Sequence, residues 1–207
     1  MFSIKRTRSL IDGLLASSRS RPILNWSVTV ASVLLCLLVL PTRLPGMEIS
    51  GIGPNWLLIW VVAWSVKRTA FQGALAGLVL GLVQDGMTSP QPTHALSLMV
   101  VGILTARLQK QRYVQEDFIS VALIVFGMAV VAETIIALQF SLHGDTGLAI
   151  PLARLPRTTP YLTLTEIWNY HQLVALSSAI LSSLWAPVIY FPLNRWWSEM
   201  ELRNQSP

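Results

Sequence analysis

Six apolar runs, each stopped by proline, glycine or charge, take up most of this 207-residue chain. They fall at 23–40, 54–66, 69–84, 94–108, 117–142 and 165–197. Pro41 stops the first, Lys67-Arg68 the second, Asp85-Gly86 the third, Gln109-Lys110 the fourth and His143-Gly144 the fifth. The last carries Pro187 and Pro192. A membrane span needs about 20 mostly apolar residues, fewer where neighbouring protein shields the segment. The second, third and fourth runs are short and need partner helices around them or a thin bilayer. Charged residues are 12% of the chain and hydrophobic ones 53%. A soluble domain carries roughly 25% charge, so this much apolar surface cannot be hidden in water. The same numbers exclude intrinsic disorder. The expected fold is an all-α polytopic membrane protein of six transmembrane helices.

Basic residues sort by side. Lys5, Arg6, Arg8, Arg19, Arg21, Lys67, Arg68, Arg107, Lys110, Arg112, Arg195 and Arg203 fall on one side of this topology. Only Arg43, Arg154 and Arg157 fall on the other. The positive-inside rule then places both termini in the cytoplasm. The basic excess is a topological signal and calls for no nucleic-acid partner. Residues 1–21 read as a basic cytoplasmic segment, 22–197 as one membrane domain and 198–207 as a cytoplasmic tail. No small-x-small site follows Leu40, so the first run is expected to be a retained span and not a cleaved signal. The longest loop, 143–164, contains Pro151, Pro156 and Pro160. It either covers the outer mouth of the bundle or is a mobile loop, the reading favoured by its lack of structure signals.

Three features could carry function. Gly73, Gly77 and Gly81 form a stripe of small residues on one face of the third span, which lets another backbone come close. That neighbour is a helix of this chain or one of another protein, and the stripe places the third span at the centre of the bundle. Asp85 follows one turn later. It is a turn-forming residue that caps local N–H groups, or a polar anchor between the third span, loop 86–93 and the start of the fourth. Pro54-Asn55-Trp56 opens the second span, with Pro suited to a first helical turn and Gly53 or Asn55 to the cap. Trp56, Trp60 and Trp64 make an aromatic stripe, either packed, lipid-facing or a docking face for a partner helix. Asp85 and Pro54-Asn55-Trp56 are expected close together at the outer surface.

Glu133 lies inside a span with no Lys or Arg at matching depth. Such a carboxyl is by default a functional hypothesis, here set against the favoured reading of a structural role, and is expected protonated or hydrogen-bonded to a neighbour such as Ser177, Ser178 or Ser182. A proton relay would need a chain of such groups, and none is visible. His94, His143 and His171 lie on three segments at no metal-ligand spacing, so no metal is expected. Cys36 is the single cysteine, which excludes an internal disulfide and Cys-based metal or redox motifs. There is no G-x-S-x-G, HExxH or P-loop. No catalytic residue and no cofactor is expected.

Gly53-Pro54-Asn55-Trp56-Leu57-Leu58 resembles the R-P-N-W-L-L signature of the MreD family of rod-shape-determining membrane proteins. Residues 73–85 resemble that family's glycine-rich third span ending G-x-x-x-D. Ala95-Leu96 through Gly102 resembles its fourth span, and Leu184-Trp185-Ala186-Pro187 followed by a basic tail also fits. The resemblance covers residues 22–197 and is most specific over 53–106. Gly53 replaces the family's usual Arg, Pro90-Gln91-Pro92-Thr93 replaces its turn after the Asp, and the N-terminal extension is longer. The resemblance implies a non-enzymatic scaffold of the cell-elongation machinery in a bacterial inner membrane. Its implied partners are the single-span shape protein MreC and, through it, the actin-like MreB and peptidoglycan synthases, with membrane lipid around it. The family also looks like the six-helix substrate-binding subunits of energy-coupling-factor transporters. That implies the alternative of a small-molecule-binding transporter subunit, whose polar groups here would be Asp85, His94, Asn169, Tyr170 and His171. An intramembrane enzyme is the least favoured class.

Overall fold

The computed structural model describes residues 20–42, 47–49, 51–88, 93–109, 117–143 and 164–205. The loop 143–164, the prolines of loop 86–93 and the N-terminal basic segment lie almost wholly outside the described residues. The described chain is all-helical, in the order α1 (Ser20–Val39), α2 (Trp56–Ser65), α3 (Ala70–Thr88), α4 (His94–Gln109), α5 (Phe118–His143) and α6 (Leu164–Gln205). Three of these are long and apolar enough to cross a membrane, namely α3, Phe118–Ser141 within α5 and His171–Leu202 within α6. Ile23–Val39, Trp56–Ser65 and His94–Leu108 are shorter apolar helices.

The hub of the bundle is α2. It has ten residues, nine of them buried, and it touches all five other helices. A helix apolar on every side belongs in such a position. Its rise, roughly 15 Å at 1.5 Å per residue, is half of a hydrocarbon core of about 30 Å. Its neighbours therefore provide most of its solvent. This corrects the expectation that the glycine-striped span is central. Among the other helices α3 packs on α2 and α4, while Phe71, Leu75, Val79, Leu82 and Met87 along it stay exposed.

Local signals explain the joins. Between α1 and α2, Ile49 and Ile52 exchange backbone hydrogen bonds of 3.0 and 2.9 Å. The turn passes through Gly51 at φ 76°, a conformation that suits glycine. Thr69 and Gln72 form a reciprocal capping box ahead of α3: Thr69 N–H donates to Gln72 Oε1 at 3.2 Å and Gln72 N–H to Thr69 Oγ1 at 3.3 Å. The chain thus reverses between α2 and α3 in a few residues. α3 runs on to Thr88, so Asp85 lies inside its last turn and does not terminate it. α6 is one helix of 42 residues with Pro187 and Pro192 inside it, and it continues through most of the stretch read as a tail. Internal prolines are tolerated where surrounding helices and side chains re-satisfy the freed carbonyls.

Candidate functional site

The glycine stripe determines how α3 and α4 meet. A Cβ on Gly73 would lie 2.5 Å from the Gly102 carbonyl oxygen. One on Gly77 would strike the Leu98 carbonyl, and one on Gly81 the backbone of His94 and Ala95. A Cβ on Gly102 would in turn strike Gly73. Each step of four residues up α3 is a step of about four residues down α4, which is an antiparallel pair in backbone contact. It is the most extensive pairing among the described helices. The stripe's neighbour is therefore a helix of this chain. Gly102 is the answering glycine that the reading of α3 alone did not pair with it.

Asp85 is the next step of the same stripe, and the register delivers its carboxylate to the start of α4. His94 N–H donates to Asp85 Oδ1 and Oδ2 at 2.9 and 3.1 Å. Ala95 N–H donates to Oδ2 at 2.9 Å. The His94 ring Nδ1 lies 2.7 Å from Oδ1, and Thr93 Oγ1 lies at 3.5 Å. A helix N-terminus leaves its first N–H groups without intrahelical partners and carries partial positive charge. One buried carboxylate from the neighbouring helix satisfies both needs. Of the two sequence readings of Asp85, the geometry is that of the anchor between the third span and the start of the fourth. Gln139 of α5 adds a third element, its Nε2 donating to the Thr93 carbonyl at 3.0 Å.

Asn55 is the cap of α2: its Oδ1 accepts from Leu58 N–H at 3.0 Å. Its own N–H donates to Ser182 Oγ of α6 at 2.9 Å. Ser182 thus serves α2. Among the described residues no hydrogen bond joins Ser177, Ser178 or Ser182 to Glu133. Trp56 sits against Trp185 with ring centroids 5.7 Å apart. Pro54 and Trp56 line a cavity of about 350 Å³ with Met87 and Thr88, one turn beyond Asp85. The two motifs share an end of the bundle as expected, but Asn55 turns to α6 and Asp85 to α4, so they do not form one polar cluster.

The tryptophan stripe is internal. Trp60 stacks on Trp64 at 5.5 Å, and Trp197 of α6 meets both edge-on at 6.3 and 5.1 Å. Trp60 Nε1–H donates to Ser32 Oγ of α1 at 2.8 Å. Buried indole N–H groups need such partners, and here the partner ties α1 to the hub. The Arg68 guanidinium carbon stands 4.4 Å above the Trp64 ring, a cation–π contact. The stripe is filled from within, which corrects the option of a partner-docking face.

Of the five polar groups that a transporter subunit would use, the four with described side chains do not converge. Asp85 and His94 are joined to each other, Asn169 is exposed on α6, and His171 lies against Phe140 with ring centroids 5.5 Å apart. The side chains of Tyr170 and His143 lie outside the described residues. Among the described residues no three His, Cys, Asp or Glu side chains come together as a metal site. Glu133 lines a groove of about 400 Å³ between α5 and α6, with His171 and Gln172 among its other lining residues.

A family model described as rod shape-determining protein MreD matches residues 20–159. The match takes in α1 to α5 and more than half of the chain. No curated protein and no solved structure matches.

Proposed function

The chain belongs to the MreD family, so its role lies in rod shape determination, and from that premise we propose that it is a non-enzymatic scaffold of the bacterial cell-elongation machinery. In this reading it is a six-span protein of the inner membrane with both termini cytoplasmic. It holds a single-span shape protein of the MreC type and, through it, the actin-like MreB and the peptidoglycan synthases. The observation that carries the reading is the family match over residues 20–159. The geometry supports it in a second way. The polar residues singled out in the sequence are used to join helices: Asp85 to α4, Asn55 to α2 and, through its N–H, to α6. A substrate-binding subunit would instead keep several of them free toward a cavity.

Two measurements test this. A tagged full-length chain, extracted in mild detergent, is expected to co-purify a single-span shape protein. Reporter fusions after Arg112 and at Pro207 are expected to read cytoplasmic, and those near Gly46, Thr88 and Pro156 exported. An exported reporter at Pro207 would remove one span, and a clean purification without the shape protein would remove the scaffold role.

A further inference from the structure

We propose that the α3–α4 side of the bundle holds the bilayer thinner than its resting thickness, with the headgroups of the cytoplasmic leaflet drawn up to Arg68 and Arg107, so that its partner on this side is compressed lipid. This rests on the six-span reading and not on the identity of any protein partner. A short span is met by neighbouring helices or by a thinner membrane. The first solution serves α2, since nine of its ten residues are buried. The α3–α4 pair lacks it among the described residues: Phe71, Leu75, Val79 and Leu82 of α3 and Leu96 and Leu108 of α4 stay exposed.

Polar side chains set the height of that pair. At its outer end Asp85 accepts from the His94 N–H and so fixes the start of α4. Toward the inner end Gly73 meets Gly102. In that register Arg68 and Arg107, each five residues farther on, come to the same level. The rise from the Thr69 cap to Asp85 is about 24 Å, and that from His94 to Arg107 about 20 Å, at 1.5 Å per residue. A resting hydrocarbon core is about 30 Å. Tilting either helix only shortens its reach across the membrane.

Two further contacts mark the inner level. A basic side chain rooted in hydrocarbon stretches toward the nearest water. Arg68 instead folds back, its guanidinium 4.4 Å above the ring of Trp64, one turn nearer the membrane centre. Lys67 Nζ donates to Ser198 Oγ of α6 at 2.7 Å. Arg195, one turn nearer the centre on α6, has a side chain 83% exposed and paired with Glu199. Charges thus stand at a depth where an undeformed bilayer has acyl chain. The contrast is α5. Its Gln139 donates to the Thr93 carbonyl, at the outer level of His94, and Asp117 lies about 33 Å from Gln139 at 1.5 Å per residue. No Lys or Arg falls between them. One side of the molecule fits a full bilayer and the other does not.

The test reads depth. The full chain with Cys36→Ala carries a spin label at Phe71→Cys or Leu123→Cys, both exposed positions, in vesicles of palmitoyl-oleoyl phosphatidylcholine and phosphatidylglycerol. Relaxation by oxygen and by a water-soluble nickel chelate gives the distance of each label from the headgroups. Measured inward from the outer level, Phe71 lies at about 21 Å and Leu123 at about 24 Å, so a flat bilayer makes Phe71 the deeper label by about 3 Å. The reverse order is expected, with Phe71 about 3 Å or less from the inner headgroups. Across phosphatidylcholine bilayers of about 14 to 22 carbons, thermal stability should peak at about 16 carbons or fewer. Arg107→Leu, at an exposed position, should move that peak by about two carbons or more toward longer chains. A Phe71 label as deep as Leu123 or deeper, a Phe71 label shielded from oxygen by protein, a stability peak at the longest chains, or a peak that Arg107→Leu leaves in place overturns the thinning alone. Thiol labelling in cells separates this from failure of the six-span reading. Leu96→Cys is expected to react from outside and Leu108→Cys from the cytoplasm. Reaction of both from one side overturns that reading and the thinning with it.

Discussion

Gly77→Leu removes folded protein from the membrane. The new side chain must enter where the Leu98 carbonyl of α4 now sits. That carbonyl belongs to a helix backbone, so no rotamer change can make room. The α3–α4 pair must separate along its length, and with it the contacts of Gly73 with Gly102 and of Gly81 with Ala95. Overpacking a well-packed site costs roughly 1–3 kcal/mol even where side chains can yield. Here the obstacle is backbone on both sides, and a cost of about 3 kcal/mol or more is expected, which is over a hundredfold in a folding equilibrium. The measurement is the yield of monodisperse protein from detergent-extracted membranes. The matched control is Leu82→Ile on the exposed face of α3, expected within about 0.5 kcal/mol of the parent. Leu80 is unsuitable as a control because it is itself buried. Equal yields of the Gly77 and Leu82 variants would place the stripe against lipid.

Asp85→Ala is the second large effect. It strips the acceptor from the His94 and Ala95 N–H groups and from the His94 ring. Buried donors without acceptors cost roughly 1–3 kcal/mol, enough to weaken a complex tenfold or more. Asp85→Asn keeps one oxygen for the helix N-terminus, puts an NH2 donor where the other oxygen accepted, and also loses the charge, itself about 0.3–1 kcal/mol. It should sit between the parent and Asp85→Ala in a thermal melt. Asn55→Ala should be milder than Asp85→Ala, at about 1 kcal/mol for a lost N-cap, because the bond from its backbone N–H to Ser182 survives the change. In cells, Asp85→Ala is expected to impair elongation with solute uptake intact. Normal shape and partner binding with failed uptake of a vitamin or similar solute would make Asp85 a substrate contact and replace the scaffold with a transporter subunit.

The positions of the helices were legible in the sequence because the apolar runs have chemical stops: Pro41, Lys67-Arg68 and Gln109-Lys110. The Gly73–Gly77–Gly81–Asp85 series was legible as a stripe because its spacing is that of a helix. What it faces was not, since that depends on Gly102, Leu98 and Ala95 of another helix, and one span's periodicity says nothing about its neighbour. The capping box Thr69-x-x-Gln72 was present as a local pattern and could have been read. Ser182 as the acceptor for Asn55 had no local signal at all, the two lying 127 positions apart. The centrality of α2 does not show in the glycine spacing, for a physical reason. Glycines mark where a helix approaches one neighbour closely, whereas centrality shows as bulk that is apolar on every side, as in Trp56–Ser65.

That short hub has a consequence for how the chain is built during synthesis. At ten residues, α2 is too short to be held by lipid unaided, and the tight reversal at Thr69 and Gln72 delivers it together with α3 as a helical hairpin. Its remaining walls come later. Trp185, Trp197 and Ser182 belong to α6, which leaves the ribosome after the other five described helices. Until α6 emerges, Trp56, Trp60 and the Asn55 N–H have no permanent partners on that side. Every nascent intermediate that lacks α6 is therefore open at its middle, and α6 acts as the keystone. A ribosome that stalls before α6 leaves behind a bundle with its apolar centre uncovered.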